Sequence, residues 1–255
     1  MNPPIRDWQG RRVWLMGASS GIGEALARAL AAAGARVALS ARRAERIAAL
    51  AGELPQALAL PCDATDGEAM AGARDRLAVD WGGVDVAIYL AGDYVPMRAW
   101  DYAPQAAARM VAVNFAGAMA FAAALTPLLL KQGNGQLAFV SSVAGYRGLP
   151  KALVYGPTKA ALINFAETLW LDLAPRGIGV RLINPGFVAT PLTAQNDFAM
   201  PALITPDEAA REILRGFATD AFEIHFPKRF TRVLKLLRLL PHRLYFPLIR
   251  RFTGA

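Results

Sequence analysis

Four apolar residues, Val13-Trp14-Leu15-Met16, run straight into Gly17-Ala18-Ser19-Ser20-Gly21-Ile22-Gly23. An alanine-rich stretch over residues 22–33 follows and stops at Gly34. The apolar run reads as a buried strand and the alanine-rich stretch as a helix. Strand, glycine turn and helix in this order are the context that a dinucleotide fingerprint requires. The glycines allow close backbone approach, and the helix start favours a pyrophosphate. Gly17, Ser19, Ser20, Gly21, Ile22 and Gly23 are therefore candidate cofactor contacts.

The same alternation continues along the chain. Strands are expected over 36–40, 57–60, 84–90, 136–140, 180–183 and 222–226. Helices are expected over 66–79, 104–131 and 155–173. Strands alternating with helices imply an α/β fold with right-handed crossovers and a doubly wound, mostly parallel, seven-stranded sheet. Ligands in such a fold bind beyond the carboxyl ends of the strands. Asp63 and Ala64 follow the third strand, Ala91 and Gly92 the fourth, and Ser142 the fifth. Nineteen residues past Gly23 stands Arg42, with Arg43 beside it, and no acid lies between Gly34 and Glu45. A carboxylate near this position suits the ribose hydroxyl of NAD, whereas arginine suits the extra phosphate of NADP. The pair favours NADP(H), with NAD(H) as the alternative. The competing reading is a solvated helix start in which Arg42 or Arg43 pairs with Glu45 or Glu53.

Tyr155 and Lys159 are four residues apart and share one helical face. Pro157 between them is tolerated only in a first helical turn, which places Tyr155 at the helix start. A free phenol has a pKa near 10, too high for ready proton transfer at neutral pH. One positive charge at about 4 Å, at an effective dielectric of about 20, favours the phenolate by roughly 4 kcal/mol. That corresponds to about 3 pKa units and would bring the phenol to about 7. Lys159 is placed to supply the charge, and Ser142 to donate a hydrogen bond to a substrate oxygen. Asn114 lies among apolar neighbours, where its amide needs partners.

Composition narrows the alternatives. A chain of 255 residues, 55% hydrophobic, can bury the core of one large α/β domain. Cys62 is its only cysteine, so no intrachain disulfide forms. His225 and His242 are far apart, no Cys/His cluster has metal-ligand spacing, and no metal is expected. The Asn-Pro-Pro start reads as a loose tail without a signal-peptide core, and a cytoplasmic setting is expected. No uninterrupted apolar run reaches the roughly 18 residues of a spanning helix. The net charge is +8, yet residues 1–225 balance 20 basic against 20 acidic residues. The excess lies in residues 226–255, which hold eight basic residues and no acid. A nucleic-acid partner is therefore not expected.

Over about residues 10–226 the chain resembles the short-chain dehydrogenase/reductase family. The turn at 17–23 matches that family's Gly-x-x-x-Gly-x-Gly, Asp63 its adenine-side aspartate, and Ala91-Gly92 its Ala-Gly after the fourth strand. Asn114, Ser142, Tyr155 and Lys159 match its catalytic tetrad in type and order. Pro185 and Gly186, with Val188 and Thr190, match the loop that holds the nicotinamide carboxamide. Met16 departs from the family's usual Thr, and Leu90 from its usual Asn. The resemblance implies a single Rossmann-fold domain over 1–226 and hydride transfer between NADP(H) and a carbonyl or secondary alcohol. In it, Tyr155 exchanges the proton and Ser142 polarises the oxygen. Lys159 lowers the tyrosine pKa and bonds the nicotinamide ribose, while Asn114 holds a water. A homodimer or homotetramer is the family expectation.

Tyr94, Val95, Tyr146, Phe187, Leu192 and Phe198 are expected to form a mostly apolar substrate wall, which suits a small apolar carbonyl or alcohol. Residues 227–255 read as a basic amphipathic extension. In it Phe230, Val233, Leu234, Leu237 and Leu240 recur at helical spacing between Lys228, Arg229, Arg232, Lys235 and Arg238. Such a segment packs on its own domain, meets another subunit, or lies on an anionic membrane through 228–252. The functions open at this point are an NADPH-dependent carbonyl reductase, a membrane-surface reductase of lipid-like ketones, and a catalytically silent NADP(H)-binding regulator.

Overall fold

The computed structural model describes residues 1–253. Seven strands form one sheet: β1 (Arg12–Met16), β2 (Arg36–Ser40), β3 (Ala57–Ala59), β4 (Val86–Tyr89), β5 (Gln136–Val140), β6 (Gly179–Pro185) and β7 (Glu223–Phe226). Their order is β3-β2-β1-β4-β5-β6-β7, and every pair is parallel. The order reverses between β1 and β4, which opens a crevice at their carboxyl ends, where ligands of such sheets bind. Because both faces are covered, the strands are nearly continuous runs of buried residues.

Side-chain alternation along the strands divides the core. Val13, Leu15, Val37, Leu39 and Ile88 pack against helices α1 (Gly21–Ala32), α2 (Ala44–Glu53) and α7 (Pro206–Phe217). Trp14, Met16, Tyr89, Leu137 and Phe139 pack against α3 (Gly67–Trp81), α5 (Gly117–Gln132) and α6 (Tyr155–Leu173). The α7 segment carries a capping box that the sequence reading did not exploit: Thr205 accepts from the Glu208 N–H, Glu208 reaches back, and Pro206 opens the helix.

The expected long helix over 104–131 is interrupted. Its first part, α4, spans Pro104–Val111, and a π turn over Ala112–Ala116 joins it to α5. The π turn inserts one extra residue and carries Asn114 within it. The whole run Pro104–Gln132 has the length and composition of a membrane span, and half of its most apolar window is buried within the fold.

The N-terminus is not a loose tail. Asn2 is 2% exposed; its amide donates to the Val180 carbonyl at 2.8 Å and accepts the Val180 N–H at 3.1 Å. Ile5 and Trp8 are buried in the core against α7, with Trp8 edge-on to Phe217. Nearby, the fully buried Arg181 has no carboxylate in a salt bridge among the described residues. Its guanidinium donates to Gln136 and to carbonyls including Pro3, Thr219 and Ala221. Burial pulls it down to about 10.

Residues 227–253 continue as α8 (Lys228–Arg238) and α9 (His242–Thr253), packed on the end of the sheet. The inner face of α8 differs from the one expected. Phe230, Leu234 and Lys235 turn inward and Thr231 is buried, whereas Val233 is 54% exposed. Lys235 pairs with Glu223 of β7 at 2.5 Å. Glu223 also accepts from the Tyr146 hydroxyl and from the Asn184 amide. These donors hold its carboxyl below the usual range although burial opposes them.

Arg147, beyond β5, donates to the carbonyls of Leu237, Arg238 and Leu240 and lies 4.0 Å from the Tyr245 ring centroid. A cation is favourable at a helix C-terminus, where carbonyls lack partners. Tyr245 of α9 returns a bond from its hydroxyl to the Gly148 carbonyl at 2.9 Å.

His225 of β7 faces α8, with its Nδ1 2.6 Å from the Thr231 hydroxyl. Burial, helped by the charges of Lys235 and Lys228, pushes His225 down from 6.5 to about 4. Between those two values the folded chain binds fewer protons than the unfolded one, so stability falls as pH is lowered through that window. Thermal melts of wild type should lose stability from pH 6.5 towards pH 4, and His225→Gln should flatten that slope. An unchanged slope would refute the assignment.

Candidate active site

A cleft of about 640 Å³ runs along the carboxyl ends of β2, β1 and β4. Its lining includes Gly17, Ser19, Ser20, Gly21, Ile22, Gly23, Arg42, Arg43, Asp63, Ala64, Ala91, Gly92 and Thr190. Thirteen of the candidate cofactor contacts thus meet on one surface although they come from five separate segments. Pro185, Gly186 and Val188 are not on that surface. Val188 is buried, and Gly186 lies against the Phe230 ring, where an added Cβ would approach to 3.0 Å.

Local sequence explains how the cleft is built. Gly17 has φ +104°, and a Cβ there would stand 2.5 Å from the Ala91 nitrogen. Only glycine lets the first turn approach the end of β4 so closely. Leu90, in place of the family's usual Asn, holds the two strands through its backbone, donating to the Met16 carbonyl at 2.7 Å. Ser20 precedes α1 without capping it by its side chain, so the first N–H groups of that helix are available to an anion.

Arg43 reaches across the turn to the Ser19 and Ser20 hydroxyls at 2.8 and 2.9 Å. Arg28 takes Glu24 and Glu53, so neither Arg42 nor Arg43 has a carboxylate partner among the described residues. The solvated pairing with Glu45 or Glu53 does not occur. The glycine turn, the uncapped helix start and the two unpaired cations fit the diphosphate and a further phosphate of a dinucleotide.

The candidate catalytic residues gather behind Gly92 and Val140. Lys159 is 3% exposed and donates from Nζ to the Val140 carbonyl at 2.9 Å. Its own carbonyl accepts from the Ser141 hydroxyl at 2.7 Å. The turn after β5 must come close to α6 for this, and Gly145 permits it: a Cβ there would lie 2.7 Å from the Lys159 carbonyl carbon. Ser142 accepts the Ala144 N–H, and its hydroxyl lies near the Tyr155 phenol. Asn114 is fully buried; its oxygen accepts the Asp93 N–H at 2.7 Å, and its amide donates to the Asp93 carbonyl and the Thr158 hydroxyl. A point 3.8 Å from both the Asn114 oxygen and Lys159 Nζ lies beside Gly92, so the two groups face one space.

The electrostatics correct one expectation. Burial pushes the Tyr155 phenol up to about 12, with the nearby Ser142 hydroxyl opposing it, and burial pulls Lys159 down to about 8. Lys159 Nζ is engaged by Val140 and stands 5.6 Å from the tyrosine ring centroid. Desolvation therefore outweighs the attraction that would have brought the phenol to about 7.

Beyond Tyr155 the wall is partly as expected. Tyr94 packs edge-on to Tyr155, with ring centroids 4.9 Å apart, and its hydroxyl donates to Asn196 at 2.9 Å. Val95 packs in the small cluster of Met97, Ala107 and Met110 that also holds Tyr155. Leu192 lines the cleft, and Phe187 contacts both Phe198 and Phe230. Tyr146 is not an apolar wall residue: it is buried with its hydroxyl on Glu223, and burial and that carboxylate hold its pKa well above the usual phenol value. Sequence reasoning missed Thr158, Gly145 and Asn196. It also missed Lys151, whose ion pair with Asp197 ties the loop after Thr190 to the loop before α6. Only Gly145, three residues past Ser142, carried a local signal.

The chain is similar to known proteins over most of its length. Residues 11–200 match the family model described as short chain dehydrogenase. An uncharacterized oxidoreductase of Myxococcus xanthus is 33% identical over 245 residues, covering 94% of this chain and 97% of its own. A short chain dehydrogenase from Burkholderia cenocepacia, solved in complex with NADP, superposes with a TM-score of 0.84 at 24% identity, covering 98% of this chain and 99% of that one. One from Burkholderia phymatum, solved with NAD, gives a TM-score of 0.84 at 20% identity over 91% of this chain and 94% of that one. With its parallel seven-stranded sheet, its glycine turn and this breadth of sequence match, the chain is an oxidoreductase belonging to the short-chain dehydrogenase/reductase family.

Proposed function

We propose that the protein is an NADP(H)-dependent carbonyl reductase, or secondary alcohol dehydrogenase, acting on small apolar substrates. The observation that carries this reading is the meeting of Asn114, Ser142, Tyr155 and Lys159, from three separate segments, beside Gly92 at the end of the cleft. A bound nicotinamide cofactor would supply or accept the hydride. The glycine turn and the first N–H groups of α1 would hold its diphosphate, with Asp63 and Ala64 beside the adenine. Ala91, Gly92 and Thr190 would flank the nicotinamide end. Pro185, Gly186 and Val188 would act from behind, as the backbone that carries Thr190 to the cleft. Structural relatives bind either NADP or NAD, so the preference for NADP(H) rests on Arg42 and Arg43. Arg43 already spans the turn, and Arg42 lines the cleft beside it.

Tyr155 donates its Oη proton to the substrate oxygen as negative charge develops there. Burial keeps the phenol protonated at neutral pH, which is the form a reduction needs. Ser142, beside that phenol, orients the same oxygen. Lys159 has a depressed pKa and sits in the same buried pocket, so it returns a proton to the phenolate at little cost. Asn114 and Lys159 face one space beside Gly92, which suits a bridging water that reloads the lysine. In the alcohol direction the same path runs backwards. Tyr94, Val95, Leu192, Phe187 and Phe198 make the surroundings apolar, and the ring of Tyr94 holds that of Tyr155 in place. The homodimer or homotetramer and the cytoplasmic setting expected from the sequence stand as part of this proposal.

A panel of ketones and aldehydes assayed by NADPH consumption tests the substrate class: apolar carbonyls should react best, and a preference for small charged ones would overturn it. Tyr155→Phe should lower turnover by roughly 10²- to 10⁴-fold while NADPH still binds, as read by cofactor fluorescence. Substantial turnover by that variant would remove the proton-transfer role. Arg42→Ala should raise the Michaelis constant for NADPH roughly 10- to 100-fold, the loss of one charged hydrogen bond, and leave that for NADH nearly unchanged. Equal effects on both cofactors would refute the phosphate clamp.

A further inference from the structure

The extension of α8 and α9 buries one face against the domain and turns the other outward. On the outer face of α8, Val233, Leu236 and Leu239 recur every third residue and are 54, 67 and 78% exposed. On α9, Leu244 and Phe246 are 59 and 56% exposed. Seven of the eight basic residues of this segment are also exposed; the eighth, Lys235, turns inward to Glu223. The segment from 226 to 255 contains no acid to neutralise them. Both helices are tied through their inner faces to the loop at Arg147 and Gly148, so their outer faces are held outward by the same anchor.

We propose that this outer face docks on an anionic lipid surface, with the leucines and Phe246 entering the interface and the arginines meeting the headgroups. Charge decides between occupants. A second copy of the chain seated on the same face would bring two such acid-free basic surfaces together, which like charges oppose. A nucleic acid would satisfy the cations and leave the leucines in water. A bilayer of anionic lipid satisfies both at once, as basic amphipathic helices do. The position is also informative. Phe230 of α8 packs on Phe187, which packs on the 39%-exposed Phe198, so an apolar path runs from the docking helix to the rim of the candidate substrate site. A bound enzyme would therefore present that rim to the bilayer, an extension that rests on the functional reading above; the docking itself does not.

Co-sedimentation of the full chain tests the proposal, using vesicles of mixed phosphatidylglycerol and phosphatidylcholine against vesicles of phosphatidylcholine alone. The protein should pellet with the anionic vesicles only and be released by high salt, because screening weakens the attraction. The double variant Leu236→Glu with Leu239→Glu removes the apolar stripe and adds repulsion. Two cations cancelled on such a surface correspond to a loss in partitioning of at least roughly 10-fold. Val79→Glu, at an equally exposed site on α3, should pellet like wild type. Circular dichroism and thermal melts of each variant should match wild type, since every substituted side chain is exposed. No retention on anionic vesicles, or retention unaffected by the double variant, would overturn the proposal. So would a concentration-dependent dimer in solution that the double variant abolishes, since a second copy would then cover the stripe. Pelleting needs no turnover, so failure of the redox reading and failure of this one are told apart.

Discussion

Lys159 is held at both ends of its own residue. Its ammonium donates to the Val140 carbonyl, and its carbonyl accepts from the Ser141 hydroxyl, so the last turn of β5 and the first turn of α6 are locked to each other. All four partners are buried, where breaking either bond leaves an unsatisfied polar group costing about 1–3 kcal/mol. The placement of Tyr155 follows from this lock. So does that of Ser142, which lies one residue past Ser141 and beside the phenol. Burial explains why the lysine does not simply acidify the tyrosine. A desolvated ammonium is itself pushed towards neutrality, even though its bond to a carbonyl favours the charged form.

The π turn at Ala112–Ala116 acts on the other side of the same pocket. It breaks the register of the long helix and turns Asn114 towards Asp93 and Thr158, so three segments are joined by one amide. Asp93 is held in turn by an ion pair with Arg109 of α4. The polar network is thus framed by backbone and by α6, beside the tyrosine, the serine and the lysine.

Much of this was legible in the chain. Period and punctuation located β1, β2, β5 and α6 nearly to the residue, because buried parallel strands are apolar throughout and glycine or proline ends them. The spacing of Tyr155 and Lys159 placed both on one helical face. What was not legible depends on contacts distant in sequence. The π turn leaves no local signature among the alanines of 104–132. Asn2 reads as a loose end until β6 is present to receive its amide. Tyr146 looks like a wall aromatic until Glu223, seventy-seven residues later, claims its hydroxyl. The sign of the tyrosine shift was missed for a similar reason: a pairwise Coulomb argument carries no knowledge of how dry the pocket is.

Arg147 joins the extension to the loop that carries Ser142. Its guanidinium closes the free carbonyls of α8 and stacks on Tyr245, while its backbone belongs to the turn five residues beyond Ser142. One side chain therefore pins the C-terminal pair of helices to the serine's loop, and only a few residues of chain separate the two.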